Sequence, residues 1–487
     1  MEINALLSCL HNPEIIGTLP DQIQGITADS RKVKQGWAYI AVKGLTHDGH
    51  DFIGDAESSG ASVIVSERAS ETNLPVVKVS DTREAWGPAA LAMAGNPQNN
   101  LNLVGVTGTN GKTTITTLVH QALDSLGYNA GLMGTIEVKI GYKTLESRLT
   151  TADPETIASN LKLMKEAGCD SVIMEVSSHA LDQKRTNGLD FKVGVFSNLS
   201  HDHLDYHGTV ESYLKAKKLL FDNLSESSTA IVNTDDTSFS SMISDCKADV
   251  WGFGLKDGSV KIVSQTTEGM LIEIDGISVQ TPLAGIFNAY NVSAAFLVCR
   301  ALGISAGNAS AALAEAKGAK GRLERISENP NEPVVFVDYA HTPDALENVL
   351  KTLSEIEGRG KIITVFGCGG DRDKKKRPVM GKTASAYSDV IWVTSDNPRT
   401  ENPDAIISDI LVGISHKRMY TEPDRKKAIH SAISEAQEKD IVLIAGKGHE
   451  TYQEINGVRY PLDDSKEARK ALAARRTSSD FKEKEGC

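Results

Sequence analysis

Eight short apolar runs, each followed directly by polar residues, dominate the sequence from residue 101 onward. They form two sets of four, and helical stretches separate the runs within each set. This alternation predicts a parallel sheet with helices on both faces, once in each set. The runs are LNLVGV (101–106), SVIMEV (171–176), VGVFSNL (193–199) and TAIVN (229–233), then PVVFVDY (333–339), KIITVFG (361–367), DVIWVTS (389–395) and DIVLIAG (440–446).

The polar clusters that follow these runs predict where ligands bind. In open parallel sheets, the ligand crevice lies beyond the carboxyl ends of the strands. We therefore expect the functional residues of each unit at one edge of its sheet. The clusters are TGTNGKTT (107–114), SSHALDQKR (177–185), SHDHLDYHG (200–208) and NTDD (233–236), then AHTPD (340–344), GCGGDRDKKKRP (367–378), DNPRTENP (396–403) and KGHE (447–450).

A smaller α/β domain is predicted before the first set. With 487 residues the chain exceeds what one core usually supports. Strand-like runs WAYIAV, ASVIVS and PVVKVS precede AGNPQNN, a polar segment with a proline. We predict three domains: residues 1–98, 99–317 and 318–487. The final segment, KEARKALAARRTSSDFKEKEGC, is typical of a charged helix that frays into a tail, and we assign it no chemistry.

Charge and composition exclude several classes of protein. A net charge of −12 disfavours nonspecific nucleic-acid binding. No apolar run has the roughly 18 residues that span a bilayer, and MEINALLSCLHNPE does not resemble a signal peptide. We expect a cytoplasmic protein without membrane insertion. The cysteines lack CxxC spacing, which argues against a zinc site or a disulfide framework: Cys9, Cys169, Cys246, Cys299, Cys368 and Cys487.

The segment TGTNGKTT indicates a phosphate-binding loop between a strand and a helix. Its glycines allow backbone N–H groups to surround phosphate oxygens, Lys112 can reach the β and γ phosphates, and a threonine hydroxyl can bind Mg²⁺. The strict pattern GxxxxGK[ST] needs glycine where Val106 stands, so the loop is a variant. Alone it leaves motors, switches, kinases and ligases open. Its residues are Gly108, Thr109, Asn110, Gly111, Lys112, Thr113 and Thr114.

Three other patterns have simple alternatives. HDHLDYH (201–207) offers three histidines for zinc, but cysteine is absent and the spacing is irregular. In SYLKAKKLLF, spacing alone predicts that Lys215, Lys217 and Lys218 form a solvated helix face. SSH (177–179) suggests a serine nucleophile, yet no G-x-S-x-G elbow accompanies it.

The variant loop resembles that of the Mur ligase family, ATP-dependent enzymes that add amino acids to the peptide stem of the cell-wall precursor, and that of the related folylpolyglutamate synthases. Further matches follow in family order: EVSSH (175–179), SNLSHDHLDYHG (197–208), FNAYN (287–291), GRLE (321–324) and DYAHTPDAL (338–346). In the first domain, ADSRKVKQG (28–36) and DGHDFI (48–53) resemble the uridine-binding module. GDRDKKKRP (370–378) and DNPR (396–399) resemble the branch that selects meso-diaminopimelate.

The resemblance implies a central P-loop-containing parallel-sheet ATPase domain, a C-terminal Rossmann-like α/β domain and a smaller N-terminal uridine-binding domain. It also implies a reaction of peptidoglycan precursor synthesis. The γ-carboxylate of D-Glu in UDP-N-acetylmuramoyl-L-Ala-D-Glu attacks the γ-phosphate of ATP, and the amine of meso-diaminopimelate displaces phosphate from the acyl phosphate. Metal ions and cationic side chains must neutralise the charge that these steps bring together.

By resemblance, four residues support catalysis and Mg²⁺ binding besides Lys112. Thr113 would hold the ion that bridges the β and γ phosphates. Glu175 and His203 would help to hold a second ion. Lys217 aligns with a lysine that CO₂ converts into a carbamate, which turns a cation into an oxygen ligand.

The remaining assignments concern ATP and the two other substrates. For ATP they are Arg322 at the γ-phosphate, Asp338 at the ribose, Asn288 or Asn291 at the adenine, and His341 near the nucleotide. For the UDP-linked dipeptide they are Ser30, Leu45, Thr46, His47, Thr150, Thr151, Ser177, Gln183 and Arg185. LTTADPE departs from the commoner TTPDP pattern at Ala152, and Ser178 is an alternative to Ser177. For diaminopimelate they are Arg372, Asp396, Asn397, Pro398, Arg399, Gly446 and Glu450.

Two alternatives remain at this point. A folylpolyglutamate synthase shares the loop and the central fold, although the uridine-like first domain and DNPR argue against it. A nucleotide-binding regulatory module needs only the phosphate loop. A monomer that acts on small molecules is the expected state.

Overall fold

The computed structural model describes residues 1–69, 71–200, 202–329, 331–415 and 418–485, and for 477–485 it describes the helical backbone alone. The chain forms two compact units. The first comprises residues 1–260, 274–277 and 290–313, and the second comprises 261–273, 278–289 and 314–487. The boundaries 1–98, 99–317 and 318–487 stay a prediction.

A five-stranded sheet in the order β1-β5-β4-β3-β2 opens the chain. It is parallel except for β1, and the three strand-like runs of the sequence are confirmed as β3, β4 and β5. The first two strands, of three residues each, were not predicted. The elements are α1 (Ile3–Ser8), β1 (Glu14–Ile16), β2 (Gly25–Thr27), β3 (Trp37–Ile40), α2 (Ile53–Ser58), β4 (Ala61–Ser66), β5 (Val76–Lys78) and α3 (Thr82–Met93), with 3-10 turns at Ser30–Lys32, Gly49–Phe52 and Pro97–Asn100.

An eight-stranded sheet follows in the order β13-β12-β11-β6-β10-β7-β8-β9. Six strands from β13 to β7 are parallel, and β8 and β9 extend the edge as an antiparallel hairpin. The elements are β6 (Asn102–Thr107), α4 (Lys112–Ser125), β7 (Ala130–Met133), β8 (Glu137–Ile140), β9 (Lys143–Glu146), α5 (Pro154–Glu166), β10 (Ser171–Glu175), α6 (Ser178–Asp182), β11 (Phe191–Phe196), α7 (Leu204–His207), α8 (Val210–Asp222), β12 (Thr229–Asn233), α9 (Phe239–Met242) and β13 (Asp249–Phe253).

The four apolar runs of the first set are confirmed as β6, β10, β11 and β12, which are neighbours in this sheet. Strand β7 was missed, although its four residues are all buried. A three-stranded sheet was also missed. It and the two helices after it consist of β14 (Val260–Thr266), β15 (Gly269–Ile274), β16 (Ile277–Thr281), α10 (Ile286–Ala301) and α11 (Ala306–Glu315).

The second unit contains a six-stranded sheet in the order β17-β18-β22-β19-β20-β21. All neighbours are parallel except β17, and the four runs of the second set are confirmed as β18, β19, β20 and β22. The elements are β17 (Glu324–Arg325), β18 (Val334–Asp338), α12 (Pro343–Ser354), β19 (Ile362–Phe366), α13 (Lys376–Tyr387), β20 (Val390–Thr394), α14 (Pro403–Leu411), β21 (Met419–Glu422), α15 (Arg425–Glu435), β22 (Ile441–Ala445), the hairpin β23 (Tyr452–Ile455) and β24 (Val458–Pro461), and α16 (Asp464–Glu485).

Helices cover both faces of this sheet, as the alternation predicted. One apolar cluster joins the sheet to α12, α13 and α14, and another joins it to α15 and α16. The charged C-terminal helix is confirmed, and it begins at Asp464. No helix among the described residues is long and apolar enough to cross a membrane.

Candidate active site

The phosphate loop connects β6 to α4, as the sequence predicts. Gly108 and Gly111 have φ angles of +147° and +87°, which other residues adopt at a cost. A Cβ atom at Gly108 would lie 1.9 Å from Ser197 Oγ, so the loop passes too close to β11 for a side chain. Lys112 Nζ donates to the carbonyls of Gly108 and Thr109 at 2.7 and 2.8 Å. The loop is therefore held in a curled form by its own lysine.

Thr113 and Glu175 lie together, although 61 residues separate them in the sequence. Strands β6 and β10 are neighbours, which brings the carboxyl end of β10 to the loop. Thr113 Oγ1 donates to Glu175 Oε2 at 3.1 Å, and Glu175 is 1% exposed. Thr135 donates to the same carboxylate from its N–H at 2.7 Å and from its hydroxyl at 3.0 Å. Buried hydroxyl and carboxylate oxygens suit Mg²⁺.

Lys217 is buried beneath the phosphate loop. Its side chain is 1% exposed, and Nζ donates to the Gly108 carbonyl at 2.8 Å. Nζ also lies 4.4 Å from the centre of the Tyr213 ring. Burial, with a further contribution from the charge of Lys112, lowers the pKa of Lys217 well below its ordinary value. The prediction that Lys217 belongs to a solvated face of this helix is therefore wrong, because Lys217 lies on the side of α8 that is buried in the protein.

The two neighbouring lysines differ from Lys217 in their surroundings. Lys218 forms ion pairs with Asp222 and, at 2.6 Å, with Asp245, and these partners raise its pKa despite some desolvation. Lys215 is exposed. Only Lys217 of the three contacts the phosphate loop among the contacts that the structure describes.

Tyr213 links the residues around this loop, and the sequence analysis missed it. Its hydroxyl lies 3.2 Å from Thr109 Oγ1, and its ring centre lies 6.2 Å from that of His203. Burial raises its pKa to about 12. Tyr213 stands four residues before Lys217, a spacing that places both on one face of a helix. That spacing is the signal that could have identified it.

The histidine cluster differs from the one that HDHLDYH suggested. The His179 ring packs against those of His203 and His207, with centroids 4.9 and 5.4 Å apart. Burial lowers the pKa of both His179 and His207. His201 lies outside the described residues. Among the residues that the structure does describe, no group of three His, Cys, Asp or Glu side chains is arranged to hold a metal ion, so the zinc alternative gains no support.

The predicted dipeptide-binding residues form one network beside Glu175. Thr151 Oγ1 donates to the Glu175 carbonyl at 2.9 Å and lies 3.2 Å from Ser177 Oγ. Arg185 donates to Gln183 Oε1 at 2.6 and 3.0 Å and to the Thr151 carbonyl at 3.0 Å. Thr150 Oγ1 lies at hydrogen-bond distance, 3.0 Å, from Thr135 Oγ1. Of the two candidate serines, Ser177 belongs to this network. Ser178 is buried, and its Oγ forms a hydrogen bond with His207 Nε2 at 3.0 Å.

The predicted uridine-binding residues lie in the N-terminal sheet domain. Ser30 begins a 3-10 turn that Asp29 caps, and Leu45, Thr46 and His47 form an exposed loop. Leu45 is 68% exposed. The structure gives these four residues no further shared contact among those described, so their assignment rests on the sequence pattern.

Asn291 and Asn288 have different positions. A Cβ atom at Gly111 would lie 2.5 Å from Asn291 Oδ1, which places Asn291 against the phosphate loop. Asn288 belongs to the second unit, is 1% exposed and donates to the Ala284 carbonyl at 2.8 Å. Of the two, Asn291 is the one that the structure brings to the loop.

In the second unit, Arg322 and Asp338 meet at the carboxyl end of β18. The Arg322 guanidinium lies over the Tyr339 ring, 4.7 Å from its centre, and its buried Nε has no hydrogen-bond partner among the described residues. Asp338 accepts from the N–H groups of Leu323 and Ala340 at 2.6 and 2.7 Å, and burial raises its pKa. His341 is exposed, with its ring 4.6 Å from that of Tyr339.

His449 is a further residue of this cluster that the sequence analysis missed. Its ring centre lies 5.3 Å from that of Tyr339, and its buried Nδ1 has no partner among the residues described. Burial and the nearby Arg322 lower its pKa. The backbone at Gly321 closely approaches the backbone at His449, since a Cβ atom at Gly321 would lie 2.2 Å from the backbone nitrogen of His449. Its place in KGHE after β22 was the available signal.

The DNPR segment follows β20 and is largely buried. Asn397 is 4% exposed, and its Nδ2 donates to Glu450 Oε2 at 2.9 Å. Asp396 accepts from the Asn397 N–H at 2.7 Å, and a Cβ atom at Gly446 would lie 2.6 Å from Asp396 Oδ2. Gly446 therefore leaves room for that carboxylate. Pro398 precedes Arg399, whose φ of +50° bends the chain.

Two arginines, Arg399 and Arg372, both lie beside Gly369 next to this segment. A Cβ atom at Gly369 would lie 3.0 Å from Arg399 Nη1 and 3.9 Å from Arg372 Cγ. Arg399 Nη1 donates to the Gly370 carbonyl at 2.7 Å, and the Arg399 backbone pairs with the β23 hairpin through Glu454 at 3.0 Å. The planar guanidinium group of Arg399 suits a carboxylate ligand.

Comparison with known proteins covers nearly the whole chain. Three family models match: "Mur ligase family, catalytic domain" at 22–95, "Mur ligase middle domain" at 106–299 and "Mur ligase, glutamate ligase domain" at 321–448. A Cytophaga hutchinsonii protein named UDP-N-acetylmuramoyl-L-alanyl-D-glutamate--2,6-diaminopimelate ligase is 43% identical, over 95% of this chain and 97% of its own. A ligase of the same name from Aquifex aeolicus is 44% identical, over 93% and 94%.

A solved structure of a ligase of that name superimposes with a TM-score of 0.73 at 35% identity, over 95% of this chain and 97% of its own. The chain belongs to the Mur ligase family. This Mur ligase has the three α/β domains of the family, and it is an ATP-dependent enzyme that forms amide bonds. Neither a regulatory module nor a folylpolyglutamate synthase is favoured.

Proposed function

We propose that the chain joins meso-2,6-diaminopimelate to the D-Glu γ-carboxylate of UDP-N-acetylmuramoyl-L-Ala-D-Glu, with ATP converted into ADP and phosphate. The reaction belongs to peptidoglycan precursor synthesis. The observation that carries the proposal is full-length similarity to ligases named for these substrates. In the second unit, the positions of Arg399 and Arg372 beside Gly369 support the choice of amino acid, because diaminopimelate differs from lysine by a distal carboxylate that an arginine can bind.

The residues of the phosphate loop fit a nucleotide triphosphate. ATP supplies the phosphoryl group that activates the substrate carboxylate. Gly108 and Gly111 give the loop its curl, and the N–H groups at the start of α4 point toward an anion. Lys112 can exchange its loop carbonyls for phosphate oxygens at small cost, because its ammonium already lies within the loop.

The oxygen and nitrogen atoms around Glu175 fit Mg²⁺. Thr113 would hold one ion, and Glu175, His203 and a carbamate on Lys217 would hold a second; the bound cations would neutralise phosphate charge during the reaction. Thr113 and Glu175 are already hydrogen-bonded. To coordinate a metal ion, Glu175 would give up hydrogen bonds from Thr113 and Thr135, and its backbone would stay in place.

Lys217 has the environment that carbamate formation requires. CO₂ reacts with a neutral amine: an N–C bond forms, and the nitrogen releases a proton to give the anionic carbamate. The lowered pKa of Lys217 makes the neutral amine available. Lys218, paired with two carboxylates, stays protonated. The carbamate belongs on Lys217.

The amino-acid site combines cations and acceptors. Arg399 and Arg372 bind the distal carboxylate of diaminopimelate, and the acceptors Asp396, Asn397 and Glu450 lie on the adjacent loops. We assign Arg322, Asp338 and His341 of the second unit, and Asn291 of the first, to the nucleotide. Thr150, Thr151, Ser177, Gln183 and Arg185 bind the pyrophosphate and dipeptide, and Ser30 with residues 45–47 binds the uridine.

A cytoplasmic location and a monomeric state complete the proposal. The five cysteines that the structure describes are free thiols, in keeping with a reducing compartment. Light scattering of the purified protein would test the monomer.

An acceptor comparison tests the proposed reaction. The purified chain is mixed with ATP, Mg²⁺ and meso-diaminopimelate, and phosphate release is measured with UDP-N-acetylmuramoyl-L-Ala-D-Glu. A parallel reaction uses a reduced folate with L-glutamate. We expect release only in the first reaction. Turnover with folate, and none with the UDP-linked dipeptide, would contradict the proposal.

A further inference from the structure

Lys447 is a fully buried cation beside the amino-acid site, and the assignments so far give it no role. Its side chain is 0% exposed. Nζ donates to Asn397 Oδ1 at 2.9 Å and to Glu450 Oε2 at 2.8 Å, and it lies 5.5 Å from the centre of the Tyr452 ring. Burying an ammonium is expensive unless it is paired. These contacts explain how the cost is offset.

The contacts of Lys447 fix the orientation of Asn397. Its Oδ1 accepts from Lys447 and from the Glu454 N–H at 3.0 Å, while its Nδ2 donates to Glu450. Two donors on one side and an acceptor on the other leave a single satisfactory orientation of the amide. Asn397 therefore acts as a rigid link between Lys447 and Glu450.

The same contacts divide the two oxygens of Glu450. Oε2 accepts from both Lys447 and Asn397. Oε1 has no hydrogen-bond partner among the described residues, and the side chain is 20% exposed. A second buried cation, Arg425, donates to the Ala445 carbonyl at 2.9 Å and interacts electrostatically with Glu450. Glu450 is thus held by one oxygen and offers the other.

We propose that Lys447 is a positioning residue that sets selectivity for the distal amine of diaminopimelate. It anchors Glu450 through Oε2 and Asn397, so that Oε1 accepts a hydrogen bond from the amine beside the distal carboxylate. The inference rests on the proposed function, since it names how that site recognises one group of its substrate. Arg399 and Arg372 recognise the carboxylate, and Lys447 acts through Glu450 on the amine.

The test compares two amino acids that differ only at that amine. Wild type, Lys447→Met, Glu450→Gln and the double variant are assayed for kcat/KM with meso-diaminopimelate and with 2-aminopimelate, which keeps the distal carboxylate. Lys351→Met, at an exposed position on α12, is the control for loss of a lysine. KM for ATP and thermal unfolding are measured for each variant.

We expect Lys447→Met to lower the preference for diaminopimelate roughly tenfold, the loss of one charge-assisted hydrogen bond, with KM for ATP changed less than about twofold. The double variant should show the same preference for diaminopimelate as Glu450→Gln, because the two single substitutions remove the same interaction. A merely structural role would give additive losses that fall equally on both amino acids.

Two outcomes overturn the inference: a folded Lys447→Met variant with wild-type preference, or equal losses for the two amino acids. If Lys447→Met does not fold, Lys447→Gln, which keeps an N–H donor without the charge, carries the same comparison. Failure of the proposed function would be separate, since wild type would then release no phosphate with diaminopimelate.

Discussion

Adjacent lysines on α8 show how position on a helix decides chemistry. Successive residues of an α-helix point about 100° apart. Lys217 therefore lies under the phosphate loop, with a lowered pKa, while Lys218 reaches Asp222 and Asp245 at the surface. Spacing alone predicted the same solvated surface for both. Burial separates them, and sequence periodicity could not show it because the Gly108 carbonyl that Lys217 contacts lies 109 positions earlier in the sequence.

Substitution of the two lysines should have unequal effects. We expect Lys217→Ala to lower kcat by more than about a hundredfold, because the proposed carbamate ligand of the metal ion is lost. Lys218→Ala, the matched control, should stay within about twofold of wild type, because Lys218 contacts Asp222 and Asp245 and has no described contact with the phosphate loop. With ¹³C-labelled bicarbonate, NMR should show a carbamate signal in wild type and Lys218→Ala. Undiminished turnover in Lys217→Ala would refute the assignment.

Glu401 predicts a pH-dependent contribution to stability. Hydrogen bonds from Arg377, foremost, lower its pKa from 4.5 to about 2. A carboxyl group whose pKa is lower in the folded state stabilises the fold fully above pH 4.5, and loses that contribution as pH falls toward 2. The melting temperature of Glu401→Gln should therefore be lower than that of wild type at pH 7, and the gap should narrow between pH 4.5 and 2.

The control is Glu357→Gln, at an exposed position. A gap for Glu401→Gln that stays constant across this pH range, or one that the control also shows, would argue against the Arg377 contact as its cause.

At the scale of elements, strand ends and their loops carry the chemistry. All eight apolar runs are strands. Glu175 and Asp338 are the last residues of two of them, and Asp396 and Glu450 lie in the polar clusters that follow two others. Missed elements are short or lack a continuous apolar run, such as β7 with its glycine and the three-stranded sheet. Thr135 was missed with β7. Long-range pairs such as Lys447 with Asn397 depend on strand order, which sequence periodicity does not specify.

Helix α16 has a structural task that its charged sequence did not indicate. Asp464 at its start forms a bidentate ion pair with Arg425 at 2.6 and 2.8 Å, and both side chains are 0% exposed. Arg425 in turn binds the carbonyl of Ala445, next to Gly446. Through Arg425, the start of α16 thus stabilises the end of β22, where the loop that contains Gly446 begins.

Breaking this pair should destabilise the second unit strongly. We expect Asp464→Asn to lower the free energy of unfolding by about 3–5 kcal/mol, because an uncompensated buried charge remains. Asp463→Asn should lower the free energy of unfolding by less, because the ion-pair partner of Asp463, Lys320, is 41% exposed. Urea unfolding followed by Trp392 fluorescence would measure both, since Trp392 packs on the cluster that contains α15 and α16. Equal costs would contradict the prediction.

At the scale of the molecule, the N-terminal sheet domain is joined to the phosphate-loop domain within the first unit. Glu155 at the start of α5 accepts from the Ala28 N–H at 2.7 Å and from Trp86 Nε1 at 3.1 Å. Lys184 pairs with Asp81 and Glu84 at 2.9 and 2.8 Å. Ala28 precedes the predicted uridine-binding turn by two residues. The Glu155 contact therefore links that turn to the start of α5, which follows Thr150 and Thr151, two of the predicted dipeptide-binding residues.

Removing the Glu155 acceptor should weaken nucleotide-sugar binding. We expect Glu155→Ala to raise KM for the UDP-linked dipeptide roughly tenfold, because two donors lose their partner. Glu155→Gln, which keeps an oxygen acceptor, should stay within about twofold. Steady-state kinetics with each substrate varied in turn would measure this. Unchanged KM for the dipeptide in Glu155→Ala would disprove the coupling.

A comparison of three amines tests whether the chain selects meso-diaminopimelate as its amino-acid substrate. Wild-type protein is given ATP, Mg²⁺ and UDP-N-acetylmuramoyl-L-Ala-D-Glu with meso-diaminopimelate, L-lysine or L-ornithine, and the products are identified by mass spectrometry. We expect a UDP-linked tripeptide that contains diaminopimelate, with little product from the other two amines. A product that contains lysine or ornithine at an equal or higher rate would contradict it.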